Sequence, residues 1–231
     1  MMDAKKKEWN TSYQNKDNFV FYPHEEVIRF VSKYIKKRTG FSDFELIGEA
    51  GKCLDLGCGI GRHLIYLDEM EMEPFGIDLS DYAINYAKEW FRDVNKEYLI
   101  DHLTVGPVVA LPYANGYFDF VISHGVLDSM EFKIAIAAVQ EVNRVLKDDG
   151  LFYFDVVSGN DYEHYREYAG EELVKGDHER NTVQSYFNYE KIKNLIGDAF
   201  EIEECVLIQR ESVVRRAKNS RYHVTVKKRL K

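Results

Sequence analysis

No stretch of the 231 residues stays apolar for the roughly 18 positions that a membrane-spanning helix needs. Behind the lysines of Met1–Glu8 there is no apolar core of the kind a secretory leader carries, so a soluble, cytoplasmic protein is expected. Cysteine is scarce and odd in number: Cys53, Cys58 and Cys205 make a disulfide framework a poor reading. The seven histidines, at 24, 63, 102, 124, 164, 178 and 223, are scattered with no zinc-type spacing, and no metal is expected. Positive charge is short over most of the chain. Arg210–Lys231 holds nine Lys/Arg against one Glu, which leaves a net charge of -16 on the first 209 residues and makes nucleic acid an awkward partner. The basic stretch alternates like a terminal strand with solvated charges, although it could also bind an anion.

What remains is ordinary for a folded protein, with 45% hydrophobic and 30% charged residues, and the length suits one α/β domain with additions. The chain is organised around Lys52–Arg62. A short apolar run closing on Asp55 reads as a buried strand, and Gly57, Gly59 and Gly61 then break it into a tight turn. Leu64, Leu67 and Met70 follow at helical spacing. Such a side-chain-free loop lets a ligand lie against the backbone, with the unpaired N–H groups of a helix behind it. The spacing is G-x-G-x-G. A dinucleotide fingerprint would require a third glycine at position 62, which is Arg62. Twenty-one residues beyond Gly57, Pro74–Asp78 reads as a second strand ending in an acid, the span at which a β-α-β unit sets a carboxylate beside a nucleoside ribose. Ser80 is placed to cap the next helix, about 81–96.

The block Leu54-Asp55-Leu56-Gly57-Cys58-Gly59-Ile60-Gly61-Arg62 resembles the cofactor loop of the class I S-adenosylmethionine-dependent methyltransferases. Two further blocks resemble the same family: Leu111–Asp119 before a fourth strand at 119–123, and Glu141–Phe154, a helix, an Asp-Gly turn and a fifth strand at 151–157. The resemblance therefore covers about residues 52–157. It implies a doubly wound, mostly parallel seven-stranded sheet with an antiparallel last strand, and S-adenosyl-L-methionine as cofactor. It implies cofactor contacts at Tyr13, Asp55, Gly57, Cys58, Gly59, Gly61, Arg62, Asp78, Leu79, Val108, Val109, Ser123 and His124. One departure stands out. Where the family often has an acid for the adenine amino group, this chain has Pro107, so adenine recognition is expected to rest on the backbone and side chains of Val108 and Val109.

Further regions carry expectations. The first 24 residues hold Trp9, Tyr13, Phe19, Phe21 and Tyr22, too much aromatic surface for a free tail; either Tyr13 or Tyr22 covers the ligand, or the rings pack on the outside. A helix over 25–37, stopped by Gly40, follows. Beyond the fourth strand, His124 is the best-placed imidazole for a general base, with a purely structural role as the alternative. Residues 158–186 break the strand–helix alternation and read as a candidate substrate lid, with Asn160, Tyr165, His178 and Tyr186 as substrate contacts alongside Tyr22. Asn188 then caps a helix to Ile196, and about 200–209 and 222–228 read as a closing hairpin. The function implied is methyl transfer to a small-molecule acceptor. The alternatives are a cofactor-binding protein without transferase activity, an RNA methyltransferase, and a nicotinamide-dependent oxidoreductase, which the glycine spacing opposes.

Overall fold

The computed structural model describes residues 2–176, 180 and 182–230. Helix α1 (Met2–Gln14) leads through an irregular stretch to α2 (Glu25–Phe30), which widens into a π-helical turn (Val31–Ile35) and ends in a small hairpin of β1 (Lys36–Arg38) and β2 (Phe44–Leu46). The core alternation follows: β3 (Lys52–Leu56), α3 (Arg62–Glu69), β4 (Glu73–Asp78), α4 (Asp81–Asp93), β5 (Leu103–Val105), β6 (Phe118–Ser123), α5 (Phe132–Val145) and β7 (Leu146–Val157). A second small hairpin, β8 (Glu171–Leu173) with β9 (Val183–Ser185), precedes α6 (Tyr189–Ile196), β10 (Phe200–Ser212) and β11 (Ala217–Lys228). Among the described residues no helix is long and apolar enough to cross a membrane.

Seven strands form the main sheet in the order β10-β11-β7-β6-β3-β4-β5. The five from β7 to β5 are parallel, and β11 lies antiparallel between β7 and β10. All six residues of β6 are buried, as are four of five in β3. Both faces of these strands are covered, which is why they read as continuous apolar runs rather than alternating ones. On one face Leu54, Leu56 and Val121 pack under α5 and α6; on the other Cys53, Phe120 and Ile122 meet Val27, Phe30 and Val31. The chain winds outward from β3 to β5, then returns to lay β6 on the other side of β3. That reversal opens a crevice at the carboxyl ends of β3 and β6.

Several expectations need correcting. The helix expected over 25–37 ends at Ile35, because the wider turn keeps Val31 and Ile35 on the buried face with Val27 and Phe30, and Lys36 leaves as strand. Gly40 sits in the β1–β2 turn and does not stop that helix. The fifth strand begins at Leu146, with the Asp-Gly turn absorbed as an irregularity at which Asp149 takes φ 61. The aromatic N-terminal segment, expected as part of an N-terminal helical cap, contains helix α1. The caps at Ser80 and Asn188 are as expected, accepting from the Ala83 and Lys191 N–H groups.

Candidate functional site

The crevice is a cavity of about 710 Å³. Its floor is the glycine loop. Gly57, Gly59 and Gly61 all take positive φ (76, 54 and 86), which only glycine adopts without strain. A Cβ on Gly57 would collide with Val126, and one on Gly59 with the Tyr13 hydroxyl, so the loop is bare on the side facing the cavity. The Gly57 and Cys58 N–H groups both donate to the Ile77 carbonyl, tying the loop to the end of β4.

Asp78 ends that strand on the cavity wall. Its Oδ2 accepts from the Gly59 N–H and its Oδ1 from the Ser80 N–H, each at 2.8 Å, which spends one lone pair of each oxygen and leaves acceptor capacity on both. Burial pushes this carboxyl up to about 6, against the pull of those backbone donors. Leu79, Pro107, Val108 and Val109 continue the wall, and α1 closes over the loop with Trp9 and a buried Tyr13. Asn10 holds α1 there, donating to Asp81 and accepting from the Ser80 hydroxyl at 2.6 Å each.

The other half of the cavity is built by the β6 exit loop and the far end of β11. Arg62 reaches from the start of α3 to within 3.2 Å of His124 Nδ1, and burial lowers its pKa. Because a guanidinium only donates, His124 Nδ1 must accept, and its Nε2 faces Asp155 Oδ2 at 3.5 Å. Burial drives His124 down to about 2 and His24, tilted against it with ring centroids 4.0 Å apart, down to about 4. Nδ1 of His124 is thus occupied by Arg62, whereas its Nε2, buried near Asp155, makes no hydrogen bond among the described residues. Arg221 donates from Nε to Asp155 at 2.6 Å and from Nη2 to Asp128 at 2.7 Å, and both carboxylates are buried. Burial alone would raise Asp155, but Arg221 and His124 hold it well below the usual carboxylate range; Asp128 is left raised by burial in spite of Arg221.

The expected site residues divide accordingly. Tyr13, Gly57, Cys58, Gly59, Arg62, Asp78, Leu79, Val108, Val109 and His124 meet on the cavity wall. Asp55, Gly61 and Ser123 stand behind it: Asp55 Oδ2 is 3.3 Å from His63 Nδ1, Gly61 packs against Phe91, and the Ser123 hydroxyl donates to the Leu56 carbonyl. The expected substrate contacts lie elsewhere. Tyr22 is 82% exposed and meets the site only through its carbonyl, which accepts from Arg62. Asn160 binds Gln209, Lys218 and Ser220, Tyr165 is 68% exposed, and Tyr186 packs against His164 and edge-on to Tyr168. His178 lies outside the described residues. Of the described residues of 158–186, Gln184 is the one on the wall. Composition alone could not tell which of these polar side chains faces inward.

Sequence reasoning missed His24, His63, Asp128, Asp155 and Arg221. Asp155 carried a signal, an acid inside the buried run Phe152–Val157, of the same kind that singled out Asp55 and Asp78. Arg221 carried none.

Residues 54–154 match the family model described as a methyltransferase domain. The chain is 33% identical over 142 residues to the uncharacterized protein MJ1252 of Methanocaldococcus jannaschii, covering 61% of this chain and 45% of that one. It is 32% identical over 114 residues to the putative methyltransferase YqeM of Bacillus subtilis, covering 48% and 44%. The chain thus spans under half the length of these curated relatives. Among solved structures, an S-adenosylmethionine-dependent methyltransferase from Methanosarcina mazei superposes with a TM-score of 0.67 at 19% identity, over 91% of this chain and 100% of that one. The Burkholderia thailandensis 1,6-didemethyltoxoflavin-N1-methyltransferase, solved with that compound and S-adenosylhomocysteine, gives 0.69 at 14% identity, over 99% and 89%. At such identities the likeness carries the fold. Residues 54–154 are thus similar to the methyltransferase domain family, and the fold is the seven-stranded architecture shared with these solved structures.

Proposed function

We propose that the protein transfers a methyl group from S-adenosyl-L-methionine to a small-molecule acceptor. The observation that carries this is the pairing of the bare glycine loop with the Asp78 carboxylate, which the loop itself orients through Gly59 N–H. The acceptor capacity left on both Asp78 oxygens suits two ribose hydroxyls. Leu79 and Pro107–Val109 offer an apolar slot for adenine, with Pro107 in place of an acid. Arg62, beside the loop, supplies a cation for an amino-acid carboxylate, and Trp9 and Tyr13 keep water out from above.

When bound, the cofactor supplies a sulfonium methyl, whose C–S pair stays on sulfur as a neutral thioether while the acceptor's lone pair makes the new bond. The chain's own task is then positioning and exclusion of water. With His124 Nδ1 held by Arg62 and the imidazole shielded from solvent, the site favours an acceptor that is nucleophilic without a base. A small acceptor fits the walled cavity, and the acidic first 209 residues disfavour RNA. Three free cysteines suit a reducing compartment such as the cytoplasm.

Calorimetric titration with S-adenosylmethionine and S-adenosylhomocysteine tests the reading. Micromolar binding that weakens about a hundredfold in Asp78→Ala is expected, from two lost charge-assisted hydrogen bonds. Folded protein that binds neither ligand, or binds NADH instead, ends the proposal.

A further inference from the structure

The buried Asp128–Arg221–Asp155 group has more parts than a structural tie needs. Asp155 is fully engaged, accepting the Gly125 N–H at 2.7 Å on Oδ1 and Arg221 Nε on Oδ2. Asp128 accepts the Val157 N–H at 2.9 Å and Arg221 Nη2 on the same oxygen, Oδ2. Its Oδ1 has no donor among the described residues, but that atom is shielded from solvent, and the Asp128 side chain is only 2% exposed. The Arg221 side chain is 30% exposed and lines the cavity. The group that a ligand can reach is therefore the guanidinium.

Its orientation is fixed. Nε and Nη2 are each drawn to one carboxylate, which locks the plane of the fork. That leaves the end edge, formed by Nη1 and the second Nη2 hydrogen, as a pair of parallel donors. Such an edge matches the two oxygens of a carboxylate. The cavity wall also carries Met130, Ile134, Gln184, Ser129, Glu131 and Lys5, apolar surface mixed with polar and charged groups, and Arg221 on β11 lies well apart from the Asp78 end of β4 in the sheet order. The cation at the glycine loop is a different one, Arg62.

We infer that Arg221 anchors the methyl acceptor, and that the acceptor is a small molecule bearing a carboxylate that docks end-on against this guanidinium. The inference rests on the methyltransferase reading, and Asp128 and Asp155 act in it as positioning residues for Arg221. Asp128 also sets a sign that a purely structural tie would not. Two carboxylates around one guanidinium leave surplus negative charge beside the docking edge, so neutralising Asp128 strengthens anion binding while Asn still accepts from Arg221.

The test uses the full chain saturated with S-adenosylhomocysteine, and benzoate, benzyl alcohol and benzylamine as probes, read by ligand-observed NMR. The expected result is benzoate binding about tenfold tighter than either isostere, the size of a charge-assisted pair. Arg221→Gln abolishes the preference and Arg221→Lys restores part of it, since it keeps the charge without the fork. Asp128→Asn keeps or strengthens benzoate binding. Affinity for S-adenosylhomocysteine stays within about threefold of the parent in all three variants. No benzoate preference, its survival in Arg221→Gln, its loss in Asp128→Asn, or a tenfold loss of S-adenosylhomocysteine affinity in Arg221→Gln each overturns the inference. If Arg221→Gln fails to fold, the parent protein and Asp128→Asn decide. Failure of the parent to bind S-adenosylhomocysteine sinks the methyltransferase reading instead, and is read separately in the calorimeter.

Discussion

Asp78 shows how much a single position does. As a strand-end acid it accepts from the glycine loop on one oxygen and from the first turn of α4 on the other, and thereby sets the loop against the helix. Burial raises its pKa to about 6, so near that pH half of the carboxyls carry a proton and cannot accept from two hydroxyls. A ligand that needs the ionised form must then expel the proton. Affinity for S-adenosylhomocysteine is expected to be level above about pH 7 and to fall by about tenfold per unit below pH 6. Calorimetry between pH 5 and 8 measures this; a flat profile means that Asp78 does not accept from the ligand.

Among the elements, α1 is the one held most locally. It meets α4 through Trp9 and Tyr13 against Tyr82, Tyr86 and Trp90, and through Asn10 on Ser80 and Asp81. Ser80 serves both sides, since its hydroxyl caps α4 at Ala83 N–H and donates to Asn10. Ser80→Ala therefore removes a cap and the α1 latch together, and is expected to cost about 1–2 kcal/mol in urea denaturation. A loss under about 0.3 kcal/mol would mean that water replaces both contacts. The same comparison explains what could be read in advance. Glycine loop, strand-end acid and helix cap are encoded within a few residues of one another, so Gly57–Gly61, Asp78, Ser80 and Asn188 stood out. The Arg221 network was not legible, because its members lie 66 and 93 residues apart and meet only when β11 slots in beside β7. The candidate lid failed for a related reason: Tyr165 and Asn160 are polar toward solvent and toward the closing hairpin, and sequence does not say which way a loop faces.

For the whole molecule, the cluster of buried neutral imidazoles sets the response to acid. Burial lowers His24 to about 4 and His124 to about 2, and His223 in the same direction. Below the ordinary histidine value the unfolded chain takes up protons that the folded one refuses, so stability falls as pH drops from about 6.5 toward 4. Asp78 opposes this, because its raised pKa makes the folded state bind a proton between about 4 and 6. Asp128, raised by burial as well, adds to that opposition, and three lowered histidines against two raised aspartates leave the first effect in command. The melting temperature is expected to drop steadily over pH 6.5 to 4, and His124→Gln to flatten that drop; a melting point that holds or rises on acidification would contradict the assignment of neutral rings.

The order of the sheet has one more consequence. Everything that shapes the Asp78 half of the cavity is in place once residue 109 has been made, together with β6 to cover it. The acid pair at the other end waits for Arg221, supplied by a strand that must insert between β7 and β10. A chain that lacks β11 therefore keeps the residues of the Asp78 half but not the guanidinium that offsets Asp128 and Asp155. The last-made strand is what neutralises these two carboxylates, so completion of this end of the cavity waits on β11.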